Sequence, residues 1–236
     1  MTIQNRDSFL ANISTALNRS PDLENVERPK WDYQPQDDVF KDFSTEELVE
    51  VFARQCESVH TGFNHVLADD LHETLKAVLE SHHAKNIITP NDLRHDAFGL
   101  TPFFENLTRE GASVHFWDSK LGKENQVMAE RADVGITYSD ITLAESATVC
   151  QFNNKNNSRT ISLLPQSYIA IIPKSTLVPR LTQAVRMIHE KVERKEQLPS
   201  CISFISGPSN SGDIEMNLIV GVHGPVRATY ILVDDM

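Results

Sequence analysis

Apolar positions along the chain alternate between two rhythms, and the alternation predicts helices and strands in turn. Phe9, Leu10, Ile13 and Leu17 recur at helical spacing, so a short helix is expected over residues 4–18. The stretch to Pro35 carries Pro21, Pro29 and Pro35 with charges between them and reads as a linker. Ser44-Thr45-Glu46-Glu47 has the form of a capping box, in which Ser44 and Glu47 satisfy each other's first-turn backbone groups, so a helix should start there and run to about Val59. Beyond it GFNHVL, NIIT, ASVHFW, DVGIT, YIAIIP, CISFIS and VRATYILVD predict strands. DDLHETLKAVLES, LTPFFENLTRE, KENQVMAERA and LVPRLTQAVRMIHEKVERK predict the helices between them. Such alternation predicts an α/β fold with a mostly parallel sheet covered by helices on both faces. YIAIIP and TYILV are nearly all apolar, as strands buried on both sides should be. An arm over residues 1–40 and one α/β domain over 41–236 follow.

Composition narrows the partners more than the fold. In 236 residues, 33 acidic side chains against 22 basic ones give a formal net charge of -11, which repels nucleic acid and anionic lipid. No stretch approaches the ~18 apolar residues of a membrane span and the amino-terminal segment lacks a signal-peptide core, so a cytoplasmic location is expected. Cys56, Cys150 and Cys201 lie far apart without a CxxC pair, which argues against a disulfide framework, a structural zinc or a cluster in this chain. His82-His83 and the His60/His65 pair lack the carboxylates and HExxH spacing of a catalytic metal centre. The chain also has no GxxxxGK[ST], GxGxxG or GxSxG.

Four stretches carry candidate chemistry. GPSNSGDIE follows the strand CISFIS, and the carboxyl edge of an α/β sheet is where ligands bind. Gly207 permits close backbone approach, Ser209, Asn210 and Ser211 offer short polar groups, and Asp213 is placed to cap a helix over IEMNLIV. The reading as a plain strand-to-helix turn carries equal weight. In GVHGP, Gly221 would close that helix, and His223 beside Gly224 is the histidine best placed for proton transfer or for holding a substrate oxygen; pinning the loop is its structural alternative. Glu145, between Ala144 and Ser146, suits a base, a nucleophile or an anchor for substrate hydroxyls, against a structural role paired with a backbone N–H or a basic partner such as Arg159. QFNNKNNSR, residues 151–159, interrupts two apolar runs and reads as a tight turn or as a loop lining a site.

ADVGIT, LAESAT, SLLPQSYIAIIP, ISGPSNSGDIE and GVHGP, in this order, resemble the lactate utilization protein C family, which carries the LUD domain. The resemblance runs from about residue 40 to the carboxyl terminus. It implies a fold of the NagB/RpiA/CoA-transferase-like kind. It also implies a part in the oxidation of L-lactate to pyruvate, as one of three proteins encoded together. The other two are iron–sulfur proteins, so clusters are expected in partners and no cofactor in this chain. Where the family usually has AETGT, this chain has Ala147 before Thr148.

A pocket for a small anionic metabolite is accordingly expected from Glu145, Arg159, Ser209, Asn210, Asp213 and His223, with Arg159 as the carboxylate's partner. Gly207, Ser211 and Gly224 complete the candidate set, and no metal site is expected. Two other readings stay open: a stand-alone isomerase, CoA transferase or formyltetrahydrofolate cyclo-ligase-like enzyme of the same fold, or a non-catalytic metabolite sensor. Whether the chain itself is catalytic also stays open. For the amino-terminal arm the alternatives are a contact in a homo-oligomer or a partly ordered terminus.

Overall fold

The structure, a computed structural model, describes residues 4–19, 30–214 and 216–235, with the side chains of Asp213 and Ile214 outside that description. Residues 20–29 of the expected linker and Glu215 fall outside it too. The chain divides into two units, residues 1–35 and 36–236. In the first, α1 (Arg6–Ala16) presents Phe9 and Ile13 exposed, and none of its residues is buried.

The larger unit begins with α2 (Thr45–Ser58), β1 (Gly62–Leu67), α3 (Leu71–Ser81), β2 (Asn86–Thr89), α4 (Arg94–Ala97) and α5 (Leu100–Arg109). It continues with β3 (Ser113–Phe116), α6 (Lys123–Arg131), β4 (Val134–Tyr138), β5 (Ile141–Leu143), β6 (Thr148–Asn153) and α7 (Thr160–Leu163). The last third holds β7 (Ser167–Pro173), β8 (Leu177–Val178), α8 (Leu181–Glu193), β9 (Cys201–Ser206), β10 (Asn210–Ile214), β11 (Asn217–Val220) and β12 (Arg227–Asp234). The capping box forms as expected: Ser44 Oγ accepts from the Glu47 N–H at 3.3 Å and the Ser44 N–H donates to Glu47 Oε2 at 2.8 Å.

Six strands form one sheet in the order β1-β12-β7-β4-β2-β3, every pair parallel. The expected mostly parallel α/β architecture is therefore present. Because strand side chains alternate, β7 sends Ile169 and Ile171 to one face and Tyr168, Ala170 and Ile172 to the other. The first face packs on α3 and α5 through Leu71, Leu75, Leu100 and Phe104. The second packs on α2 through Leu48, Val51 and Phe52. All seven residues of β7 are buried, which is why no polar position breaks its run.

Two expectations need correction. CISFIS does form a strand, but it joins a second sheet, β8-β5-β6-β9, where β9 runs antiparallel to β6. Gly207–Asp213 therefore does not extend from the carboxyl edge of the parallel sheet. The helix expected over 214–220 is instead a hairpin, with β10 antiparallel to β11. The seven residues between Asp213 and Gly221 give too few turns to sustain a helix, whereas the run Leu218-Ile219-Val220 suits a strand. Asp213 thus lies on a strand and caps no helix, and Gly221 follows a strand end.

The second sheet is packed on both sides. Ala144, Ala147 and Val149 join the core against α2 and the parallel sheet, while Ile141, Leu143 and Cys150 meet Ala184 and Ile188 of α8. This lays β6 across the parallel sheet, where buried Gln151 donates to Thr137 Oγ1 of β4 and to the Tyr168 hydroxyl of β7. The loop that follows β6 is carried toward the ends of β2 and β3.

Candidate functional site

Strand order locates the first place to look. The chain leaves β2 toward β3 on one side and leaves β4 toward β7 on the other, so a crevice opens outside the carboxyl ends of β2 and β4. Arg94 stands there, four residues beyond Pro90. Its Nε and Nη2 reach Asp92 Oδ1 and Oδ2 at 2.9 and 2.6 Å, and its Nη1 reaches Asp140 Oδ1 at 3.0 Å. The guanidinium carbon lies 4.7 Å over the Tyr138 ring. Asp140 Oδ2 accepts the Phe152 N–H at 2.6 Å, tying the second sheet to the edge of the first.

The two carboxylates respond differently to the same arginine. Burial alone would raise Asp92, but two bonds and the charge of Arg94 bring it below the ordinary carboxylate value. Asp140 is raised, because its burial outweighs one bond from Arg94 and one from Phe152. Beside them His95 is held toward its neutral form chiefly by burial. Its Nε2–H donates to Pro90 O at 2.8 Å, which leaves Nδ1 to accept the Tyr138 hydroxyl at 2.9 Å. The strong donors in this crevice already have partners within the chain, so the cluster joins the loops that follow β2 and β4 to β6.

The adjoining cleft is different. A cavity of about 1080 Å³ lies between Trp117 beyond β3, the start of α6, Cys201 at the start of β9 and the 153–159 loop. The Asn91 N–H donates to Asn156 O at 3.0 Å and fastens that loop to the β2–β4 crevice. Asn154 Oδ1 accepts the Asn156 and Asn157 N–H groups at 2.8 and 3.1 Å, the tight turn expected from the asparagine run. Lys155 and Arg159 line the cleft, and among the described residues neither has an ion-pair or side-chain hydrogen-bond partner. Asn153 and Asn157, 7% and 3% exposed, also line it, and each leaves Oδ1 buried without a donor. Two cations without partners among the described residues, in a chain of net charge -11, give this cleft a locally positive wall.

Arg159 owes its position to a glycine. It precedes α7, which lies so close to β4 that a Cβ at Gly135 would sit 1.9 Å from Ile161 O. The glycine of DVGIT is thus required by the approach of α7, and Ile161 packs with Ile88, Ala129 and Ala132 below it.

The remaining candidate residues are not gathered around Arg159. Glu145 sits half-buried on the β5–β6 turn, with Oε2 2.6 Å from Arg180 Nε; its basic partner is Arg180, not Arg159. Gly207 has φ +70° and a Cβ there would lie 2.6 Å from Val59 O, while its N–H donates to the Tyr230 hydroxyl at 2.9 Å; its close approach is to the protein's own backbone. The Ser209 N–H donates to Pro225 O at 2.9 Å and Ser209 O accepts the Gly221 N–H at 2.8 Å, which brings Ser209 beside Gly224 ahead of β12, at the amino edge of the parallel sheet. Asn210 Nδ2 donates to Pro208 O at 3.3 Å, and Ser211 and the backbone of Asp213 lie on β10. His223 is exposed in the loop to β12 and, among the described residues, makes no side-chain hydrogen bond.

Sequence reasoning missed Asp92, Arg94, Lys155, Asn153 and Asn157 as individual residues. The asparagine-rich interruption was the signal for the last three. Among the described residues no group of three or more His, Cys, Asp or Glu side chains is placed to hold a metal ion, and no helix is long and apolar enough to cross a membrane. Cys56 and Cys150 are buried free thiols, each pushed up to about 12 by burial.

Comparison with known proteins agrees with this architecture. The LUD domain model matches residues 49–233. A protein of Oceanobacillus iheyensis named lactate utilization protein C is 51% identical over 99% of this chain and 100% of its own length. One of Geobacillus sp. strain WCH70 with the same name is also 51% identical, over 99% of this chain and 98% of its own. The crystal structure of a DUF162 family protein from Deinococcus radiodurans superposes with a TM-score of 0.58 at 20% identity, covering 81% of this chain and 99% of that one. That likeness shows the shared fold.

Proposed function

This chain belongs to the LUD domain family, and from that premise we propose that it serves lactate utilization as an accessory component of an iron–sulfur system that oxidises L-lactate to pyruvate. Its part is to hold a small anionic metabolite in the cleft beside the 153–159 loop, with Arg159 as a planar two-donor partner for a carboxylate and Lys155 adding charge. The observation that carries the reading is that, among the described residues, these two cations have no partner in a strongly acidic chain. The names of relatives matching nearly the whole length at about half identity support the pathway. Redox chemistry falls to iron–sulfur partner proteins in this reading, since two of the three cysteines here are buried and all three are apart in sequence.

The test is L-lactate-dependent dye reduction in extracts of cells lacking this chain in frame. Adding back the purified wild-type protein should restore the activity, and partner proteins should co-purify with it. Undiminished activity in the deletion extract would refute the assignment.

A further inference from the structure

We propose that the ligand of this cleft is a nucleoside monophosphate, with its base stacked on Trp117 and its phosphate held by Lys155 and Arg159. This rests on the reading that the cleft holds an anion, and it adds the part of the ligand that the two cations leave unexplained. At about 1080 Å³ the cleft stands at the top of the roughly 300–1,000 Å³ range of sites for drug-sized ligands, so a lone carboxylate or phosphate group beside the cations leaves most of it unfilled. Among the described residues no acidic side chain lines it, although the chain has 33. Two cations without opposing carboxylates suit a group of charge near -2, which a phosphate monoester carries at neutral pH.

Trp117 supplies a flat wall that is fixed in advance. Its backbone N–H donates to Thr89 O at 2.8 Å, and its side chain packs against the cluster of Ile88, Ala129, Ala132 and Ile161 while staying partly exposed where it lines the cleft. The residues flanking it are tied to the fully buried Asn125: Oδ1 accepts from His115 Nε2 at 2.9 Å, and Nδ2 donates to Asp118 O at 2.6 Å. The indole therefore meets a planar ring without rearranging, and stacking on an aromatic side chain holds a base whatever its identity. Ser119, Asn156, Gln197 and Ser200 also line the cleft, exposed and without side-chain partners among the described residues. Their hydroxyls and amides match ribose hydroxyls and ring nitrogens, groups that an acyl chain lacks.

Three probes separate the parts of the ligand: adenosine 5′-monophosphate, ribose 5-phosphate, which lacks the base, and adenosine, which lacks the phosphate. Each is titrated calorimetrically into the full chain at one pH and ionic strength. The monophosphate should bind about tenfold or more tightly than either fragment. The chain has two tryptophans, so in Trp31→Phe the remaining indole reports on the cleft, and the monophosphate should quench its fluorescence while ribose 5-phosphate should not. Trp117→Leu should weaken the monophosphate about tenfold and leave ribose 5-phosphate unchanged, the second result showing that the cleft is still formed. Ribose 5-phosphate binding as tightly as the monophosphate, with no quenching by either, would overturn the stacking and leave the anion reading standing. Adenosine binding as tightly as the monophosphate would overturn the anion reading and with it the proposal. Absence of binding by all three would overturn the nucleotide assignment.

Discussion

Replacing Gly135 by alanine tests the packing that positions Arg159. The added Cβ would lie 1.9 Å from Ile161 O, 3.0 Å from Ile161 C and 3.0 Å from Pro165 Cγ. Carbon and oxygen in contact normally stand roughly 3.3 Å or more apart, so α7 must retreat by more than an ångström, and neither a backbone carbonyl nor a proline ring can rotate aside. Overpacking costs about 1–3 kcal/mol where side chains can adapt. With backbone as the obstacle, the upper end, about 3 kcal/mol, is expected. For a unit of this size that corresponds to a fall of roughly 6–12 °C in Tm. Gly212→Ala is the matched control, because a Cβ at Gly212 meets nothing within 4 Å. Urea unfolding and thermal melts of both variants provide the comparison, and ligand titration of folded Gly135→Ala should show weakened binding as Arg159 shifts. A Gly135→Ala protein as stable as the Gly212→Ala protein would refute the close-approach argument.

Other perturbations reach different parts of the account. Arg94→Met removes the cation between Asp92 and Asp140 and should cost about 3 kcal/mol, measured by urea unfolding, because two largely buried carboxylates are left facing each other. Asp92 is lowered in the folded chain, so its stabilisation is fully present above its unfolded value of about 3.9 and is lost as pH falls through the folded value. Unfolding free energy measured at descending pH should therefore drop below about pH 4 in wild type, and this Asp92 component should be absent in Arg94→Met. Asp140 has the opposite sign: raised by burial, it opposes folding as pH rises through its folded value. Ser44→Ala should destabilise by about 1 kcal/mol in a thermal melt through loss of the α2 cap. Glu145→Gln loosens a half-exposed pair with Arg180 and should cost no more than about 1 kcal/mol, with calorimetric affinity at the cleft unchanged.

Those elements that bury two faces or carry a complete cap were legible in the sequence. β7 and β12 announce themselves by unbroken apolar runs, and Ser44 with Glu47 marks α2 to the residue. The β5–β6 hairpin was hidden because its turn lacks the usual glycine or asparagine: Ala147 takes φ +45° there, fully buried, at the position where the family's glycine would stand. The β10–β11 hairpin was read as a helix because a short apolar run fits either period. At the site, the asparagine-rich loop and Arg159 were visible as an interruption of pattern. Asp92, Arg94 and Asp140 were not, since 46 residues separate Arg94 from its second carboxylate and only the strand order brings them together.

The measurement that bears most directly on the central claim is the add-back of a Lys155→Ala/Arg159→Ala double variant to extracts lacking the chain, followed by L-lactate-dependent dye reduction. Both side chains are exposed and have no partner among the described residues, so the variant should fold and melt like wild type. Wild-type protein restoring the activity while the folded double variant fails to do so is the predicted result. Equal restoration by the two proteins would contradict the assignment of an anion to this cleft.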